Sequence, residues 1–230
     1  MYRYHTDVAS LLRTVAEEEM VEEGVTKTEI PSWEWDDFCG ILYDNEELMK
    51  GWKEEGMVFD GCFLQQENGG PCGILMSIQA EYLVQHFFHK QQADDSPTNI
   101  SSVDDLMSTP RMDNCWSLAL ATILVRACPP RYDIILLIRK DVDNYESSAF
   151  FHYSKLEKLM LSTKDIDQVS DILIHHPAKF LDQYTQSGGL LLFTMSLLWT
   201  RGKKSILQGT RSRNQKYISL QIKGTLQASN

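Results

Sequence analysis

Cys72 and Gln66 are the residues whose types and spacing could support covalent chemistry, with Asn68-Gly69-Gly70-Pro71 between them. Two glycines and a proline predict a tight, backbone-exposing turn, because glycine admits dihedrals closed to other residues and proline fixes its own. A helical pattern begins at once, with Ile74, Leu75, Ile78, Tyr82, Leu83 and Phe87 recurring at three and four. Cys72 is thus predicted at a helix N-terminus, where unpaired amides and the positive end of the macrodipole favour a thiolate over a thiol. Gln66 precedes it by six residues. On a chain that doubles back, its carboxamide would face the point where an attacked carbonyl oxygen becomes negative, with the Cys72 N–H as second donor. This Gln-x5-Cys order, with the cysteine opening a helix, would set a thiol nucleophile beside a carboxamide donor. The plainer reading of the same residues is a glycine-rich turn before a helix, with an inert cysteine.

The other cysteines, Cys39, Cys62, Cys115 and Cys128, show no C-x-x-C pair and lie in no histidine-rich tract. With Cys72 they make five, an odd total that suits reduced thiols in the cytosol or nucleus better than a disulfide frame or a zinc site. Neither a metal nor an organic cofactor is expected. A thiol nucleophile needs a base, and the chain holds six histidines. His86 and His89 share the Cys72 helix, and at 1.5 Å per residue His86 lies about 21 Å along it, too far for proton transfer. His5 falls in the N-terminal arm, and His175-His176 read as a helix end before Pro177. His152, in a strand-like run, is the one whose geometry the sequence leaves open.

The elements that must position Cys72 and Gln66 follow from pattern and punctuation. The chain has 230 residues, 43% of them hydrophobic and 23% charged, which are globular values with room for a full core. A formal charge of −10 argues against nucleic acid or an anionic membrane surface as main partner. No apolar run reaches the roughly 18 residues of a bilayer span, and no secretory signal opens the chain. Val8, Leu11, Leu12 and Val15 predict an amphipathic surface helix within an acidic N-terminal segment, residues 1–47. Met57-Val58-Phe59 reads as a short strand, and residues 91–114 as a long polar loop. Asp113 or Asn114 is expected to cap a helix from Cys115 to about Ala127, ended by Pro129-Pro130. Ile134–Ile138 reads as a buried strand, and Ala149–Tyr153 and Leu156–Leu161 as further strands. A helix opened by Thr163 or Asp165 runs towards Pro177, and Leu190–Trp199 is a nearly all-apolar core helix. From Lys203 the chain turns basic, with 7 basic and no acidic residues over 201–230, and residues 203–230 are expected to form a flexible tail with one strand-like stretch, Tyr217–Ile222.

Two segments resemble the MINDY deubiquitinases, in the branch whose catalytic helix opens with G-G-P-C. The first is Met57-Val58-Phe59, Gln66, Gly69-Gly70-Pro71-Cys72-Gly73-Ile74-Leu75 and Gln79; the second runs from Gly189 through Leu192-Phe193, Ser196 and Thr200-Arg201 to Gly202. The resemblance covers residues 48–202, read as a partial catalytic domain. It implies a cysteine isopeptidase acting on polyubiquitin, with lysine-48-linked chains preferred, Cys72 as nucleophile and Gln66 at the oxyanion. The expected fold is α+β, a partial papain-like core with the catalytic cysteine at the N-terminus of a central helix packed on a mixed sheet. The family carries its catalytic histidine in a strand motif well downstream of the second segment. This chain is therefore expected to be truncated before it, the base being absent or supplied from outside. The alternative is a catalytically inactive relative that still binds ubiquitin. The C-G-x-C-W surroundings of other papain-like peptidases are missing.

Overall fold

A computed structural model describes residues 24–42, 51–67, 72–93, 112–140 and 152–212. The N-terminal helix expected at residues 8–15, the turn at 68–71, most of the polar loop and the strand-like stretch at 217–222 lie outside the described residues. In chain order the elements are β1 (Val25–Glu29), α1 (Ser32–Leu42), β2 (Phe59–Asp60), β3 (Phe63–Leu64), α2 (Cys72–Ala93), α3 (Asp113–Ala127), β4 (Ile134–Arg139), β5 (Leu156–Leu161), α4 (Ile166–His175), α5 (Phe180–Thr185), α6 (Gly189–Arg201) and α7 (Lys203–Ser212). The architecture is α+β.

The larger sheet has the order β1-β5-β4, and both pairings are antiparallel, with Val25 and Ile134 each opposite Leu161. Among the described residues every strand pairing is antiparallel, which corrects the expected mixed sheet. β5 sits in the centre, so among the described residues β4 has no second strand beside it, and such an edge leaves a row of backbone donors to satisfy. Side chains take them at the strand's period of two. Thr200 Oγ1 accepts from Ile135 N at 2.9 Å, Ser196 Oγ from Leu137 N at 2.9 Å, and Gln183 Oε1 from Arg139 N at 2.9 Å. Ser196 and Thr200 are four apart on α6, so one helix face serves two successive donors on the strand. Their hydroxyls also donate, Ser196 to Leu192 O within the helix and Thr200 to Ile135 O on the strand.

That helix, rather than the cysteine helix, covers the sheet. From Gly189 to Ser196 every residue of α6 is buried, and its apolar girth gives it the interior position against β4. The cysteine helix α2 is amphipathic. Leu75, Ile78, Tyr82, Gln85 and His86 point inward, while Cys72, Met76, Ala80 and Val84 are exposed, and the inward face packs on α3. The expected packing of α2 on a mixed sheet is corrected: its main neighbour is α3, and the strand it touches is β3 of the small β2–β3 hairpin. Phe59 sits against both α2 and α3, its ring edge-on to Tyr82 at 5.1 Å and to Trp116 at 4.9 Å.

Three smaller expectations also change. Asp113 and Asn114 lie inside α3, with Met112 at its N-cap and no side-chain cap. Of the strand expected at Ala149–Tyr153, residues 149–151 lie outside the described residues, and Tyr153 instead opens a single 3-10 turn, Tyr153–Lys155. The basic segment from Lys203 opens as a helix, α7, with Ile206 against the core, in place of a flexible tail from that residue onward. The Asp165 cap of α4 is as expected, its carboxylate accepting from Asp167 N at 3.0 Å and Gln168 N at 3.2 Å.

Candidate active site

Two separate stretches of chain carry the site, and each is anchored before it arrives. Residues 55–58 thread past the corner between α5 and α6. Met57 N donates to Tyr184 O at 2.9 Å, and Leu190 N donates to Glu55 O at 3.2 Å. Gly56 is required there, since a Cβ on it would lie 2.4 Å from Thr185 O. The chain then turns through the β2–β3 hairpin, where Gly61 takes a φ of 59° in the left-handed region that favours glycine.

Past β3 the backbone carries Gln66 between two fixed neighbours. Gln65 N donates to Val58 O at 2.8 Å, extending the hairpin ladder by one bond. Glu67 N donates at 2.9 Å to Oε1 of Glu55, a residue only 1% exposed. On the other side of the site, α2 begins at Cys72 itself. Gln79, two turns along α2, reaches back to the hairpin. Its Nε2 donates to Cys62 O at 3.0 Å, and its Oε1 accepts from Leu64 N.

These anchors bring the two sequence-predicted residues together: Cys72 Sγ donates to Gln66 Oε1 at 3.1 Å, and both side chains are exposed. The acceptor end of the carboxamide faces the sulfur, whereas the oxyanion role uses the donor end. A protonated thiol calls for an acceptor, so this orientation is the one that S–H selects. Loss of the thiol proton removes that preference and favours the Nε2 donors, which a half-turn about the last torsion of Gln66 presents. The exposed first turn of α2 leaves backbone N–H groups at Cys72 and beyond without intrahelical acceptors, as in any helix start.

The other thiols are suppressed by their surroundings. Burial, reinforced by the carboxylate of Asp36, pushes Cys39 up to about 11, with Lys53 opposing. Burial likewise raises Cys62, and it raises Cys128 against the opposing charge of Lys164. Cys115 is buried, which leaves Cys72 as the exposed cysteine of the five.

The histidines are placed as follows. His86 is 2% exposed on the inward face of α2, stacked on Tyr82 with ring centres 5.6 Å apart. His152 folds onto its own turn, with Nδ1 2.8 Å from Ser154 Oγ and its ring beside Tyr153. His176 Nδ1 accepts from Ala178 N at 3.0 Å, and His175 closes α4. His5 and the side chain of His89 lie outside the described residues.

Glu55 is the residue that sequence reading misses. It stands in Trp52-Lys53-Glu54-Glu55-Gly56, where a carboxylate reads as solvated. The only available signal is its adjacency to Gly56, the point of close backbone approach. Gln79 is visible in the sequence as a pattern position, but its hydrogen bonds are not.

A family model described as the deubiquitinating enzyme MINDY-3/4 conserved domain matches residues 43–228. Comparison with curated proteins and with solved structures gives no significant match.

Proposed function

The chain belongs to the MINDY-3/4 family of deubiquitinating enzymes, and from that premise we propose that it is a cysteine-type deubiquitinase with Cys72 as nucleophile and Gln66 at the oxyanion. The observation carrying this reading is the 3.1 Å contact between Cys72 Sγ and Gln66 Oε1 at the first residue of a helix. In the proposed reaction the Cys72 sulfur bonds to the isopeptide carbonyl carbon as its proton passes to a base. The carbonyl oxygen takes the negative charge, and Gln66 Nε2 and the Cys72 N–H hold it. Collapse breaks the C–N bond, the released lysine amine takes a proton, and water then hydrolyses the thioester. The proposed substrate is ubiquitin joined through lysine 48, acted on in the cytosol or nucleus.

A ubiquitin carrying a C-terminal electrophile tests the assignment. Covalent labelling is expected for the natural chain and is expected to vanish in Cys72→Ala. Gln66→Ala is expected to lower kcat on lysine-48-linked diubiquitin by about 10²–10³, the usual cost of losing one oxyanion donor. Unlabelled Cys72 with intact chains would reject the hydrolytic reading.

A second reading is a ubiquitin-binding relative without turnover. It is favoured by the engagement of His86 with Tyr82, of His152 with Ser154 and of His176 with Ala178. Its mark is saturable ubiquitin binding that persists in Cys72→Ala, with neither labelling nor cleavage in the natural chain.

A further inference from the structure

Nucleophile and oxyanion group reach the site on different elements, so something must set their relative position. Cys72 rides on α2, and Gln66 follows β3 by two residues. Gln79 bridges those two elements with both ends of one carboxamide. Donation to Cys62 O at 3.0 Å and acceptance from Leu64 N reproduce the pattern a neighbouring strand would offer to the hairpin edge. A single bond would permit rotation about it, but two bonds to residues 62 and 64 fix both the distance and the tilt of β3 against α2. Gln79 lies on the same helix as Cys72, seven residues on. At two turns' separation it and Cys72 lie on nearly one side of the rod, the side facing the hairpin.

We propose that Gln79 is a positioning residue that holds Gln66 in register with Cys72 by clamping the β2–β3 hairpin to the cysteine helix. This rests on the reading of Cys72 and Gln66 given above. It adds a residue that touches neither substrate nor the reacting atoms. Glu55 holds the far side of the same short segment through Glu67 N, so Gln66 sits between one tether from the helix and one from the interior.

The test uses the full chain with Gln79→Leu, which removes both bonds at similar volume, and Gln79→Glu, which keeps the acceptor for Leu64 N and loses the donor to Cys62 O. Turnover of a fluorogenic ubiquitin C-terminal amide gives kcat and KM. The rate at which iodoacetamide modifies Cys72, followed at peptide level by mass spectrometry, reports the Gln66 contact without any need for turnover. Gln79→Leu is expected to lower kcat about tenfold with KM within about twofold, a change of the size one lost positioning contact produces. It is also expected to lower the Cys72 alkylation rate about threefold, the effect expected of Gln66→Ala through loss of the Nε2 donors that meet the thiolate. The double variant is expected to alkylate no more slowly than Gln66→Ala alone, because the two act through one contact. Gln79→Glu should fall between the natural chain and Gln79→Leu, and it decides the matter if Gln79→Leu does not fold.

Unchanged kcat and alkylation in a folded Gln79 variant would overturn the proposal, as would additive effects with Gln66→Ala. Absence of turnover in the natural chain would count against the deubiquitinase reading alone, since the alkylation rates still decide the role of Gln79.

Discussion

The carboxylate of Glu55, withdrawn from solvent, accepts the backbone N–H of Glu67 at 2.9 Å. Through that bond, a residue from the chain's approach to the β2–β3 hairpin fixes the backbone on the far side of Gln66. The acceptor comes from the stretch that also binds Leu190 N through the Glu55 carbonyl, so the site segment is tied to the start of the core helix α6.

Glu55→Ala should leave Glu67 N–H without this acceptor and open a small void, destabilising the fold by about 1–3 kcal/mol. Glu55→Gln keeps an oxygen in the same place and should restore most of that loss. Urea unfolding of the three proteins measures it. Equal losses in the alanine and glutamine variants would mean that the charge, and not the acceptor, matters.

Thiol chemistry should be selective. At pH 8, iodoacetamide is expected to modify Cys72 well before Cys39, whose proton is held to about pH 11 by burial and by Asp36. The sign follows for stability: above the ordinary thiol range the unfolded chain releases the Cys39 proton while the folded one keeps it. Unfolding free energy should therefore fall as pH rises towards 11, and should be insensitive to this group below the ordinary range. Peptide mapping after timed alkylation and urea titrations at several alkaline pH values check the two statements. Faster modification of Cys39 than of Cys72 would contradict the burial assignment.

The edge of β4 away from β5 makes a sharp comparison available. Thr200→Val keeps the shape of the side chain yet removes both the acceptor for Ile135 N and the donor to Ile135 O. Ser196→Ala removes the acceptor for Leu137 N. Each should cost about 1–3 kcal/mol in chemical denaturation, the penalty of leaving buried backbone groups unsatisfied. A loss below half a kcal/mol in both would show that the strand finds other partners.

Gly56→Ala should destabilise by at least about 1–3 kcal/mol, the scale of forced overpacking. The added Cβ would press on backbone, with Thr185 O at 2.4 Å and Gln186 O at 2.9 Å, and backbone has little room to yield. Because Glu55 is the adjacent residue, probe labelling of Cys72 should fall along with thermal stability. A variant that melts with the natural chain would show that residues 55–57 move aside easily.

The sequence alone determined what depends on local order along the chain. The three-and-four spacing after Pro71 placed Cys72 at a helix start, the apolar run Ile134–Ile138 made a strand, and the unbroken apolarity of Leu190–Trp199 made a buried helix. Gln66 and Cys72 were legible because only five residues lie between them, a span too short to carry them far apart. Tertiary structure decided which helix covers the sheet, and it did so by competition: the helix apolar on all sides took the interior, and the amphipathic cysteine helix took a flank. It also decided the roles of Glu55 and Gln79. Their partners are backbone atoms 12 to 17 residues away, and a backbone donor or acceptor looks the same at every position of a sequence. Which one a side chain will meet is set only when the chain has folded.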